Sequence, residues 1–89
     1  MIERFGEDVK QVIAVLVRSE NALCLADFVE ATKLPVSTVA ASLDFLVMVH
    51  IFQADNSFRR SEVGEMVYMF ASNDQAQDVF NAFLEAGGE

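Results

Sequence analysis

The sequence predicts a mainly α-helical domain carrying one small β-hairpin. Three observations lead there. Apolar residues recur at three- and four-residue steps through several segments, the pattern of helices with one buried face. A stretch from Ile51 to Arg60 instead reads as two extended pieces around a turn. The 53% hydrophobic share is high enough to build a core, whereas disordered chains lack the apolar residues to offset ordering entropy.

The first helix is marked by Ile2, Phe5, Val9, Val12, Ile13, Leu16 and Val17, with Glu3, Glu7, Asp8, Lys10 and Gln11 on the other face. It is expected from near residue 2 to Arg18. Ala22-Leu23-Cys24 then reads as a short extended piece. Leu25, Phe28 and Val29 mark a second helix ending near Thr32, and Thr32-Lys33-Leu34-Pro35 forms the connection to the next. Pro35 suits a helix start, where its missing N–H costs nothing. The third helix follows from Val36 to about Val49, with Val36, Val39, Ala40, Leu43, Leu46 and Val47 expected inward.

Ile51-Phe52-Gln53 and Ser57-Phe58-Arg59-Arg60 flank Ala54-Asp55-Asn56, whose Asp-Asn pair suits a turn with unusual backbone angles. A fourth helix is expected after Ser61, burying Val63, Met66, Val67 and Phe70. Ser72 and Gln75 stand at capping-box spacing before a fifth, with Ala76, Val79, Phe80, Phe83 and Leu84 inward and Gly87-Gly88 at its end. No repeat or linker divides the chain, so residues 1–89 are expected to form one domain. The helix-turn-helix spans about 25–49, the hairpin about 51–60 and the terminal helix about 73–86.

Six Lys and Arg residues against fourteen Asp and Glu give a net charge of −8. All the cations precede position 61, while Glu62, Glu65, Asp74, Asp78, Glu85 and Glu89 follow it. Such an acidic protein repels phosphate, whereas nucleic-acid domains usually show a basic footprint. One cysteine, Cys24, excludes an internal disulfide and a multi-cysteine metal site. No leader pattern and no apolar run of about 18 residues appear, so the expected compartment is the cytoplasm, with no membrane partner.

Little in the sequence suits catalysis. His50 is the only histidine, and a Cys24–His50 dyad would need two distant positions to converge. Free cysteine is usually a small core residue, and a histidine suits the negative end of a helix dipole. No carboxylates stand with histidine at metal-ligand spacing, and no Gly-rich phosphate loop is present. The expectation is a non-enzyme without metal or cofactor.

Helix, short strand, helix, tight turn, helix, hairpin, helix is the order of a winged helix-turn-helix. The pattern Leu25-x-x-Phe28-x-x-x-Thr32-x-Leu34-Pro35-x-Ser37-Thr38-Val39-x-x-x-Leu43-x-x-Leu46, followed by Ile51-Phe52 and Asn56-Ser57-Phe58-Arg59-Arg60-Ser61-x-x-Gly64, resembles winged-helix transcriptional regulators. It is also similar to the N-terminal dimerisation domain of small-molecule O-methyltransferases. In those families the Leu-Pro-x-Ser-Thr-Val type of segment opens the recognition helix, and the Phe-Arg-x-Ser/Thr-x-x-Gly type closes the wing. Three positions depart from the pattern. Lys33 and His50 stand where glycine is usual, so a positive φ at each would cost on the order of 1 kcal/mol. Cys24 stands where a Ser, Thr or Asp cap is usual.

The resemblance implies a cytoplasmic homodimer that binds double-stranded DNA through the third helix. Ser37, Thr38, Ala41 and Ser42 are expected on its outer face, with Lys33 in the turn and Arg59 and Arg60 on the wing. Hydroxyls can bond phosphates or bases, and Ala41 can touch a thymine methyl. No Arg, Lys, Asn or Gln lies on that helix for bidentate base readout. Arg59 and Arg60 equally suit a solvated strand paired with Glu62 or Glu65. The alternative is a winged helix used for protein–protein assembly, with Phe45 and Met48 as a partner surface. Either way, Phe80, Phe83 and Leu84 form a stripe suited to pairing two terminal helices across a two-fold axis.

Overall fold

The computed structural model describes residues 5–19, 22–56 and 66–87. In chain order these form α1 (Glu7–Arg18), β1 (Leu23–Cys24), α2 (Leu25–Thr32), α3 (Val36–Met48), β2 (Phe52–Asn56), β3 (Met66–Phe70) and α4 (Asp74–Gly87). The strands form one antiparallel sheet in the order β1-β3-β2. This is a mainly α winged-helix fold with a β wing.

Helix α1 starts at Glu7 rather than near residue 2. Gly6 stands at its N-cap in extended conformation, a place glycine tolerates better than a helix interior. Glu7 and Asp8 in the first turn and Arg18 in the last complement the helix dipole. Val12, Ile13 and Leu16 face the core, and Phe5, ahead of the helix, is buried with its ring 6.1 Å from that of Phe83.

The start of α2 shows how a weak cap is made to serve. The N–H and the thiol of Cys24 both donate to the Asp27 carboxylate, at 3.2 and 3.3 Å. Asp27 thus reaches back as the third residue of a capping box does. At the other end Thr32 donates its hydroxyl to the Phe28 carbonyl at 2.7 Å and accepts from the Leu34 N–H at 3.3 Å. Lys33 takes the left-handed conformation, φ 63°, and the chain turns through 119° into α3. That crossing lies in the range of helix-turn-helix motifs.

Helix α3 ends in a Schellman motif. The Ile51 N–H donates to the Leu46 carbonyl at 2.9 Å and the His50 N–H to that of Val47 at 3.0 Å. Ile51 and Leu46 are both fully buried, which supplies the motif's apolar contact. His50 occupies the left-handed position at φ 66°, where glycine has no Cβ penalty. His50→Gly is therefore expected to raise stability by up to about 1 kcal/mol, the relief of strain being partly offset by a freer unfolded chain. A urea titration checks this. A loss of stability would mean that the imidazole makes a contact of greater value.

The main difference from the sequence expectation is at residues 66–70. The spacing of Val63, Met66, Val67 and Phe70 predicts a helix after Ser61, yet Met66–Phe70 is the central strand. Its residues pair with all five of β2, from Phe52↔Phe70 to Asn56↔Met66, and with both of β1. Short apolar runs are ambiguous by periodicity, and Val67, Tyr68 and Phe70 suit a pleated surface. Pairing on both sides decides the outcome. The hairpin is correspondingly longer, and Ala54-Asp55-Asn56, expected as its turn, lies in β2. The expected strand Ser57–Arg60 lies outside the described residues.

Helix α4 is capped by Asn73, not Ser72. Its Oδ1 accepts from the Ala76 N–H at 2.7 Å while its Nδ2 donates to the His50 carbonyl at 2.9 Å. One side chain thereby caps α4 and fastens it to the corner after α3. The core joins α1, α2, α3, the sheet and α4. Phe28, at its centre, meets Phe52 at 6.4 Å and the edge of Tyr68 at 6.3 Å.

Candidate nucleic-acid interface

The outer face of α3 follows from what its inner face buries. Val39, Leu43 and Leu46 are fully buried. With 3.6 residues per turn, the opposite side carries Ser37, Ala41, Asp44 and Met48. All four are exposed, as is Phe45, while Thr38 is half-buried at the edge. Pro35 occupies the N-cap position and no side chain caps this end of the helix. The first-turn N–H groups of α3 are thus free of side-chain acceptors, the arrangement that receives a phosphate. Lys33 is exposed in the turn just before them.

Two side chains of the third helix differ from expectation. Ser42, expected outward, is 5% exposed, and its hydroxyl donates to the Thr38 carbonyl one turn back at 3.0 Å. Its angular position lies beside Leu46 rather than beside Ala41, so it does not reach a ligand on the outer face. Val36, expected inward, is 57% exposed: it is the first residue of α3, and the helix enters the core only from Val39. Arg59 and Arg60 lie outside the described residues, in the segment that joins β2 to β3.

The terminal helix also differs. Phe83 is 6% exposed and belongs to the core beside Phe5, while Phe80 is half-buried with its ring edge-on to Phe70 at 5.3 Å. The aromatic stripe that looked surplus covers α1 and β3 within one chain. Of the three stripe residues, Leu84, expected inward, is 53% exposed.

The sequence reading missed three carboxylates. Asp44 sits among the outward residues, three after Ala41 and four before Met48, a spacing that could have placed it there. Its charge, after burial, helps hold the Tyr68 phenol above its ordinary pKa. Glu7 and Asp8, both exposed on the first turn of α1, face Thr38, Ala41 and Phe45 across a groove of about 490 Å³. A second groove of about 670 Å³, lined by Leu25, Val29, Val36, Met66 and Tyr68, lies between α2 and the sheet. Cys24 is buried and His50 exposed. Among the described residues no group of three or more His, Cys, Asp or Glu side chains could hold a metal ion, and no single helix is long and apolar enough to cross a membrane.

No protein-family model and no curated protein matches the chain. Among solved structures, the fold is similar to a possible transcriptional regulator from Methanosarcina mazei Go1, with a TM-score of 0.68 and 17% identity, over 98% of this chain and 73% of that one. It is also similar to BpsR of Bordetella bronchiseptica, whose DNA binding is regulated by 6-hydroxynicotinic acid, with a TM-score of 0.67 and 17% identity. That match covers 93% of this chain and 58% of BpsR. At such identity the likeness is one of fold.

Proposed function

We propose that this protein is a winged-helix transcriptional regulator that binds duplex DNA with α3 and acts as a homodimer without catalytic activity. The observation that carries the proposal is the uncapped, outward N-terminal turn of α3, with Ser37 and Thr38 on it and Lys33 before it. In helix-turn-helix proteins this turn enters the major groove. The amides and Lys33 would hold phosphate, Ser37 and Thr38 would reach base edges, and Ala41 would pack against a thymine methyl. The two solved structures similar in fold are consistent with a regulator. Arg59 and Arg60, close in sequence to the wing strands, would add backbone contacts.

Fluorescence anisotropy with mixed-sequence duplexes at about 50 mM salt tests the reading, because phosphate contacts are least screened there. Arg59→Ala and Arg60→Ala are expected to weaken binding to all sequences alike. Each should flatten the log–log salt dependence by roughly one unit per monomer. Ser37→Ala should instead change sequence preference. No binding by the wild type at protein concentrations of order 10⁻⁵ M, looser than most non-specific complexes need, would remove the DNA reading.

A single copy brings few cations to an acidic molecule, so two copies on one duplex are part of the proposal. With Phe83 in the core, Leu84 is the exposed large apolar side chain on α4 among the described residues. Light scattering should show a dimer that Leu84→Glu dissociates. A monomeric wild type would end this part of the proposal.

A further inference from the structure

We propose that the groove between the first turn of α1 and α3 docks a basic, apolar segment of another protein. Two features of the surface meet there. Val9, Ala41 and Phe45 give the groove an apolar floor, and Phe45 and Met48 are 42% and 72% exposed on the same helix. Contiguous exposed apolar side chains of this kind mark contact surfaces, and Met and aromatic rings adapt to a docked side chain. The second feature is charge. Glu7 and Asp8 line one wall, and Asp44 is exposed on α3 on the other side of Met48, outside the groove itself. No basic residue lies on α3.

This combination selects the occupant. A second copy of the chain carries a net charge of −8 and would bring like charge to the same carboxylates. A segment with Leu- or Met-like side chains on one face and Lys or Arg on the other satisfies both features. Its apolar face covers Phe45 and Met48, and its cations lie against Glu7, Asp8 and Asp44, as when an amphipathic helix settles in a groove. The inference does not depend on DNA binding. Both uses would cover Ala41, so the partner and a duplex would exclude each other.

The test uses labelled synthetic amphipathic helices and the intact protein. The first peptide has Leu on one face and Lys on the other. In the second every Lys is replaced by Glu, and in the third every Leu is replaced by Ser. Anisotropy should show saturable binding of the first peptide only. The combined variant Glu7→Gln/Asp8→Asn/Asp44→Asn and the single variant Phe45→Ser should each weaken it by about tenfold or more. The variant Asp74→Asn/Asp78→Asn/Glu85→Gln on α4 removes the same charge elsewhere and should leave binding unchanged. Circular dichroism confirms that each variant is folded. The proposal is overturned if the first peptide does not bind or the third binds as tightly. It is equally overturned if the α4 variant weakens binding as much as the groove variant.

Discussion

Replacing Phe28 by alanine is expected to lower the midpoint of thermal unfolding by about 20 °C. Phe28 is wholly buried, and its ring joins α2 to both strands of the wing through Phe52 and Tyr68. Removing a buried phenylalanine costs about 3–5 kcal/mol, since the cavity left behind adds to the lost transfer energy. A domain of this size is stabilised by about 5–10 kcal/mol in total, and 1 kcal/mol moves its midpoint by about 4–8 °C. The surroundings cannot easily collapse, because Leu43 and Leu46 of α3 are already fully buried in the same core. A melt followed by circular dichroism measures the effect. A fall of less than about 5 °C, the equivalent of roughly 1 kcal/mol, would mean that α2 is not held by this aromatic group.

The second large effect concerns function with the fold kept intact. Ala41 is exposed at the middle of the outer face of α3, so Ala41→Glu should leave the melt nearly unchanged. In the DNA complex the same side chain would put a carboxylate against the bases and phosphates. Like-charge contact costs several kcal/mol, so duplex affinity should fall by about a hundredfold or more. Anisotropy on the folded variant gives the result. Equal affinity in wild type and variant would show that any DNA binding uses another surface.

What was legible in the sequence was the part governed by local rules. Val39, Leu43 and Leu46 repeat at helical spacing and are buried. Lys33 and His50 stand where glycine is usual, and both have positive φ. The failures share a cause, which is that tertiary pairing and angular position outweigh a short pattern. Met66–Phe70 fits a helix by spacing but becomes a strand because β1 and β2 flank it. Phe83 looked like surplus apolar surface only because its partner, Phe5, is far away in sequence. Ser42 is polar, and polarity suggested exposure, but a hydroxyl bonded to its own helix can be buried at little cost. Asp44 was readable by spacing, and it alters the site most, since it puts a negative charge on the proposed DNA-facing surface.

The proposed contact between the first turns of α3 and duplex DNA would have to form despite the neighbouring carboxylates. Its most direct test is a backbone amide NMR titration of the protein with a mixed-sequence duplex at low salt. The largest shifts are expected at Lys33, Ser37, Thr38 and Ala41, with α4, which begins at Asp74, unaffected. Shifts absent from α3, or concentrated on α4, would contradict it.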